Sequence, residues 1–189
     1  LAHYVVVVSA AGAVVLIGAY GLAIIVAKQR PGAFAQVMLP VHAVAISTQS
    51  SLACLPAMLS ASRRLGVREA TADFVLPLAV AIFRATSPAM NMAVAIDAAK
   101  LTGVALSPAA LTAGVLVALL VSLSSVSLPG TLSFVVSVGP IALAMGVPVA
   151  PLALLVAVEM LPDIMRTLGN VTMDVAVTAA VGRDEPHAP

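Results

Sequence analysis

From residue 4 to residue 27 the chain carries no charged side chain at all, and no other feature limits its fold so strongly. A helix needs about 20 apolar residues to cross a hydrocarbon core ~30 Å thick. In lipid every backbone N–H and C=O must find a partner within the protein, so helices and closed barrels are the spanning structures available. The run predicts one full spanning helix, stopped by Lys28, Arg30 and the breaker pair Pro31-Gly32. It is too long for the core of a signal peptide and shows no cleavage site. The remainder is nearly as apolar: 61% of the 189 residues are hydrophobic and 9% charged, against roughly 25% charged in soluble domains. Mean hydropathy is +1.13. The chain reads as an integral membrane protein whose first partner is the lipid bilayer.

Later apolar stretches are interrupted. Residues 33–62 are broken by Pro40, by Ser47-Thr48-Gln49-Ser50-Ser51 and by Pro56. Either half covers roughly 20 Å at about 1.5 Å per residue, short of a ~30 Å core, which predicts a re-entrant helical hairpin with a polar tip. Residues 74–101 regain spanning length but carry Arg84, Thr86, Ser87 and Pro88 near the middle, the pattern of a broken helix. A second pair of short arms fills residues 108–145, with a serine-rich centre at 122–127 and Pro129-Gly130. A long helix over 152–181 comes next, then a polar tail.

Positive charge orders these segments, because Lys and Arg in short loops mark the cytoplasmic side. Lys28, Arg30, Arg63, Arg64, Arg68 and Arg183 then share one side, with Lys100 on the other. A single crossing by 33–62 would separate Lys28 and Arg30 from Arg63, Arg64 and Arg68, so the re-entrant reading is preferred. The expected architecture is an all-α membrane protein with an inverted repeat: re-entrant helical hairpin plus broken or long transmembrane helix, twice. Its parts are a transmembrane helix at 1–30, hairpin and broken helix at 31–103, hairpin and last helix at 104–182, and a tail at 183–189. Interrupted apolar segments in matching positions of inverted halves point to a transporter binding site.

The last helix carries Glu159, Asp163, Arg166, Asn170 and Asp174, spaced by four, three, four and four residues and so on one helical stripe. An insertion scale sets the cost of each mid-membrane Asp or Arg at ~2.5–3.5 kcal/mol, so the stripe requires a function. The plainer reading is a structural ion-pair ladder, Asp163 with Arg166 and Glu159 nearby; the polar tips, which supply a cavity, favour function.

Several function classes fall away. A net charge of +1, 3% aromatic residues and no Trp offer nucleic acid neither a basic field nor a stacking platform. The single Cys54 excludes an internal disulfide and a cysteine-based metal cage. Asp163 and Asp174 stand eleven residues apart with Arg166 between them, a poor basis for the shared-proton dyad of an intramembrane hydrolase, so the chain is not read as an enzyme. His3 and His42 are read as interfacial or packed residues.

The run Asp163-Ile164-Met165-Arg166-Thr167-Leu168-Gly169-Asn170-Val171-Thr172-Met173-Asp174 resembles the last-helix signature of the dicarboxylate and amino acid:cation symporters, which include the glutamate transporters. Leu55-Pro56 closing the first tip, Leu76-Pro77-Leu78 and Leu128-Pro129-Gly130 agree with it. The resemblance implies that this is the C-terminal transport core of a longer protein, without the N-terminal scaffold helices, and a homotrimer at full length in the cell's inner (plasma) membrane, multi-pass. It implies a substrate site of Ser50, Ser51, Ser87, Asp163, Arg166, Thr167 and Asn170. Arg166 would grip an acidic side-chain carboxylate, since a planar guanidinium can do so through two hydrogen bonds; Asp163 would take an amino group. Asn170 and Asp174, with Ser122 and Ser125, would bind a cation, oxygen ligands suiting a hard ion such as sodium.

One segment departs from the pattern. Where the family's Asn-Met-Asp-Gly-Thr cation motif belongs, counting from Leu76-Pro77-Leu78, the chain has Phe83-Arg84-Ala85-Thr86-Ser87. Placing Asn91-Met92-Ala93 there instead shifts the register by eight residues and breaks a gap-free fit to the second tip. Gln49 also stands where amino-acid transporters of the family often carry Arg. Arg84 is therefore read as a built-in cation replacing a bound sodium. The expected function is secondary transport of an acidic amino acid or C4-dicarboxylate by alternating access, with no cofactor and with sodium or a proton as coupling ion. The alternative is a non-transporting or cation-independent relative serving as a binding or regulatory subunit.

Overall fold

The uncharged N-terminal run forms helix α1, Ala2–Ile25, whose 24 residues extend about 36 Å. A computed structural model describes residues 1–124 and 131–184, and among the described residues the only regular structure is helical. α1 presents apolar side chains outward, with Val14 68% and Ile17 71% exposed; lipid can cover such a surface and water cannot do so cheaply.

Proline and glycine punctuate the rest of the chain. Pro31 opens α2, Pro31–Thr48, at the position where its missing N–H has no partner to lose. α2 ends at Gln49, in the left-handed region at φ 50°, and its N–H donates to the Ala45 carbonyl as a left-handed cap. A short tip leads to α3, Leu55–Arg64, which packs against α2 and against α4, Glu69–Ile82. The expected break is present: α4 stops at Phe83, and α5, Ser87–Thr102, restarts with Pro88 in its first turn and ends on left-handed Gly103. α6, Pro108–Ser124, and α7, Thr131–Ala144, pack on each other and on α5. Their 17 and 14 residues reach only about 26 and 21 Å. The second tip, including Ser125, lies outside the described residues.

The last segment corrects an expectation. Instead of one helix over 152–181 there is a short α8, Leu152–Leu155, a 3-10 turn at Val156–Val158, and then α9, Met160–Val181. Pro162 supplies a reason: it has no N–H for the carbonyl four residues back, and its ring crowds that carbonyl, so the α-helical ladder is interrupted at residue 158. Glu159 consequently stands at the entrance to α9, where its carbonyl accepts from Asp163 N–H at 2.8 Å.

The chain divides into two compact units, one of Leu1–Gly12 with Thr86–Arg166 and one of Ala13–Ala85 with Thr167–Pro189. Each has its own core. In the first, Met90, Val94, Val138, Ile141 and Leu155 are fully buried; in the second, Phe34, Met38, Met58, Leu76 and Val175 are.

Candidate functional site

Polar side chains are buried in each unit along α9. In the first unit, the Arg166 side chain is 10% exposed, and each of its guanidinium nitrogens has a partner. Nη2 contacts Glu159 Oε1 at 2.8 Å, Nη1 donates to Asn91 Oδ1 at 2.6 Å, and Nε lies 3.4 Å from Asp163 Oδ1. The other Glu159 oxygen, Oε2, accepts from the Tyr4 hydroxyl, and the Arg166 carbonyl accepts from Thr86 Oγ1 at 3.3 Å. The start of α1, the first turns of α5 and the entrance to α9 are thus joined through one polar cluster.

The local sequence explains the convergence. Asp163 and Arg166 are three residues apart and share a face of α9. Glu159 joins them because the turn before α9 keeps it at the head of that helix. Asn91 sits one turn into α5, buried among Met90, Val94 and Ala95, an apolar setting in which its carboxamide must find a partner.

Formal charge in this cluster is one Arg against two carboxylates. A guanidinium has five N–H groups; contacts among the described residues engage Nε, Nη1 and Nη2. A planar guanidinium is able to hold a carboxylate through two parallel hydrogen bonds, and here Glu159 and Asp163 already face it. Ser87 and Ser122 are buried in the same unit, and Ser122 Oγ donates to the Ala118 carbonyl at 2.7 Å, which leaves only its acceptor capacity for an ion.

In the second unit, Thr167, Asn170 and Asp174 are buried. Asn170 and Asp174 are one turn apart on α9, and both Asp174 carboxylate oxygens are buried with no hydrogen-bond partner among the described residues. An unmatched buried carboxylate is expensive, and a bound cation is one way to match it. Asn170 and Asp174 supply oxygen atoms of the kind a hard cation such as sodium takes, as part of a set that needs further ligands. Arg84 lies half-buried in the break between α4 and α5.

Ser50 and Ser51 lie half-buried in the first tip. Ser50 Oγ accepts from Ala53 N–H at 3.3 Å, and Thr48 Oγ1 accepts from Ser50 N–H at 3.3 Å while donating to the Val44 carbonyl at 2.8 Å. The Thr48 and Ser50 hydroxyls therefore complete their own turn. His42, expected to be an interfacial or packed residue, bonds through Nε2 to Thr172 Oγ1 at 2.8 Å. Because Thr172 donates its hydroxyl proton to the Leu168 carbonyl, Nε2 must carry the hydrogen.

Of the expected residues, Ser87, Asp163, Arg166 and Ser122 belong to the first unit, and Ser50, Ser51, Arg84, Thr167, Asn170 and Asp174 to the second. Tyr4 and Asn91, which hold the Arg166 cluster, are not among them. Tyr4 signals itself only as a polar side chain inside an apolar run; Asn91 stands in Asn91-Met92-Ala93, the alternative placement of the cation motif that shifts the register by eight residues. Among the described residues no three His, Cys, Asp or Glu side chains converge to hold a metal ion.

The sequence matches the model of the sodium:dicarboxylate symporter family over residues 1–184. A search of curated proteins gave no match.

Proposed function

The chain belongs to the sodium:dicarboxylate symporter family, and from that membership we propose that it forms the transport core for an acidic amino acid or C4-dicarboxylate. It is a membrane transport protein of the symporter type. The observation that carries the substrate class is the buried Arg166, a guanidinium held in place through Nε, Nη1 and Nη2 on the signature face of α9. Asp163, 28% exposed, is the group for a substrate ammonium. Ser87, Thr167, Asn170, Ser50 and Ser51 supply further polar contacts. We read α2–α3 and α6–α7 as re-entrant hairpins of a multi-pass protein of the inner (plasma) membrane. The full-length protein is read as a homotrimer whose N-terminal scaffold helices precede this core, moving substrate by alternating access and carrying out no covalent catalysis.

Coupling to a cation rests on Asn170 and Asp174, with Ser122 and Ser125 as further ligands. The unmatched Asp174 oxygens support an ion there, while the segment Phe83-Arg84-Ala85-Thr86-Ser87 lacks two carbonyl or carboxylate donors of the family motif. Arg84 supplies a fixed positive charge in their place, which favours reduced sodium coupling or a proton as the coupling ion. The same loss favours a second reading, a non-transporting or cation-independent relative that binds its ligand as a regulatory subunit. Ligand-induced thermal stabilisation without uptake in proteoliposomes identifies that case.

Uptake of aspartate and succinate by the full-length protein tests the main reading. Arg166→Ala is expected to lower affinity for both by at least ~100-fold, from about 1.5–3 kcal/mol for each of two charge-assisted hydrogen bonds. Arg166→Lys recovers only part, because an ammonium cannot fork. Since Arg166→Ala leaves Glu159 without its cation, the double variant Arg166→Ala/Glu159→Gln is measured beside it. Wild-type affinity for aspartate and succinate in that double variant refutes Arg166 as the anchor.

A further inference from the structure

Three chain segments meet at one end of the second unit. Gln29 Nε2, in the loop after α1, donates to the Leu65 carbonyl in the α3–α4 loop at 3.4 Å. Arg183 Nη1, just past α9, donates to the Val26 carbonyl at 3.0 Å. Gly182 lies so close to Val67 that a Cβ at Gly182 would stand 2.8 Å from Val67 Cγ1. The loops are therefore tied into one surface, with buried Ala27 and Val67 beneath it.

Six exposed cations project from this surface: Lys28, Arg30, Arg63, Arg64, Arg68 and Arg183. Its described acids are fewer. Arg63 pairs with Glu69 at 2.6 Å and faces Asp73 at 3.7 Å, and Arg183 pairs with Asp184 at 3.3 Å. Lys28, Arg30, Arg64 and Arg68 have no ion pair among the described residues. Topology alone asks for positive charge in these loops, but not that the loops be bonded to one another or that four cations make no ion pair among the described residues.

The position of the surface identifies its counter-charge. It lies at the foot of apolar side chains that face outward, Ile25 and Val26 at the end of α1 and Phe74 and Leu78 within two to three turns of the start of α4. Side chains at that level of a membrane protein stand among lipid headgroups. The cations are spread over open loops, which suits a layer of headgroups better than one small anion. We propose that this tied basic end is a binding surface for the headgroups of anionic phospholipids, which fix the transport core's second unit at the membrane surface. Each Lys or Arg near an anionic leaflet contributes enough attraction to change affinity about fivefold, and salt screens it.

The full-length protein in bilayer discs of phosphatidylcholine, with and without phosphatidylglycerol, tests this by melting temperature and by lipids retained in native mass spectrometry. Phosphatidylglycerol is expected to be retained in preference and to raise the melting temperature, and molar salt to erase both effects. The variant Lys28→Gln/Arg30→Gln/Arg64→Gln/Arg68→Gln should lose the preference, by about fivefold for each cation removed. Lys100→Gln, outside this surface, should keep it. If the quadruple variant does not fold, the exposed pair Arg64→Gln/Arg68→Gln should still lower the preference about 25-fold. Equal retention of the two lipids by the wild type overturns the proposal, as does an undiminished preference in the folded variants. Inorganic phosphate in detergent matching the effect of phosphatidylglycerol assigns the surface to a soluble anion and also overturns it.

Discussion

Arg166 shows how far single residues can be read from sequence. Its spacing from Asp163 places the two on one face, and their charges in an apolar chain mark them for function. Glu159 is legible on the same stripe and does pair with Arg166; the members of the cluster that come from other helices are illegible. Tyr4 is 155 positions from Glu159 and Asn91 is 75 positions from Arg166, so only folding brings each pair together. Asp174 is legible as a carboxylate in the signature but not as one whose oxygens are buried without a hydrogen bond among the described residues. That burial yields a prediction. Sodium should raise the melting temperature of the wild-type protein saturably, by an amount corresponding to about 2.7 kcal/mol at a hundredfold excess over the dissociation constant. Asp174→Asn should abolish the sodium effect and leave the ion-free protein no less stable, because a neutral carboxamide is cheaper to bury than an unmatched charge. Potassium and choline salts serve as controls for ionic strength. Equal sodium stabilisation in wild type and variant removes Asp174 from the cation site.

At the scale of elements, turn chemistry makes most boundaries legible. Pro31, Gly103 and the Phe83–Ser87 interruption mark where helices begin, end or break. The 3-10 turn before α9 is harder to read. Pro162 weakens a helix there, yet Pro40, Pro77 and Pro140 lie inside helices that continue through them, so proline alone does not tell a break from a tolerated site. How closely helices approach is not legible either, since glycines in an apolar run look alike in sequence. A Cβ on Gly12 would stand 3.1 Å from Met165 Cβ and 3.3 Å from the Met165 backbone carbon, atoms that cannot retreat without moving α9. The three atoms nearest a Cβ on Gly114 would be Met145 Cγ and Sδ and Met92 Sδ, at 2.6 to 2.9 Å, and flexible methionine chains can swing aside. Gly12→Ala is therefore expected to cost about 1–3 kcal/mol by overpacking, and Gly114→Ala less, despite its nominally shorter contacts. Melting temperatures of the two variants in one detergent decide this, and a larger loss for Gly114→Ala contradicts it.

For the whole molecule, the charge distribution and the hairpin reading stand together. The positive-inside rule puts Lys28, Arg30, Arg63, Arg64, Arg68 and Arg183 on one side, which requires residues 33–62 to return to the side they leave. The hydrogen bond from Gln29 to Leu65 supports that return, because it joins the loop before α2 to the loop after α3. A segment that crossed once would separate those loops by the ~30 Å of a hydrocarbon core. Sequence does not convey that each compact unit takes part of α1 and part of α9 rather than following the repeat, since contact between distant segments leaves no local pattern. Impermeant maleimide labelling tests the topology in a Cys54→Ser background, which removes the chain's single thiol. Arg64→Cys and Arg183→Cys are expected to label from the same, cytoplasmic, side of sealed vesicles, and Lys100→Cys from the opposite side. Labelling of Arg64→Cys from the side opposite to Arg183→Cys would make α2 and α3 a single crossing and remove the re-entrant hairpin on which the inverted repeat depends.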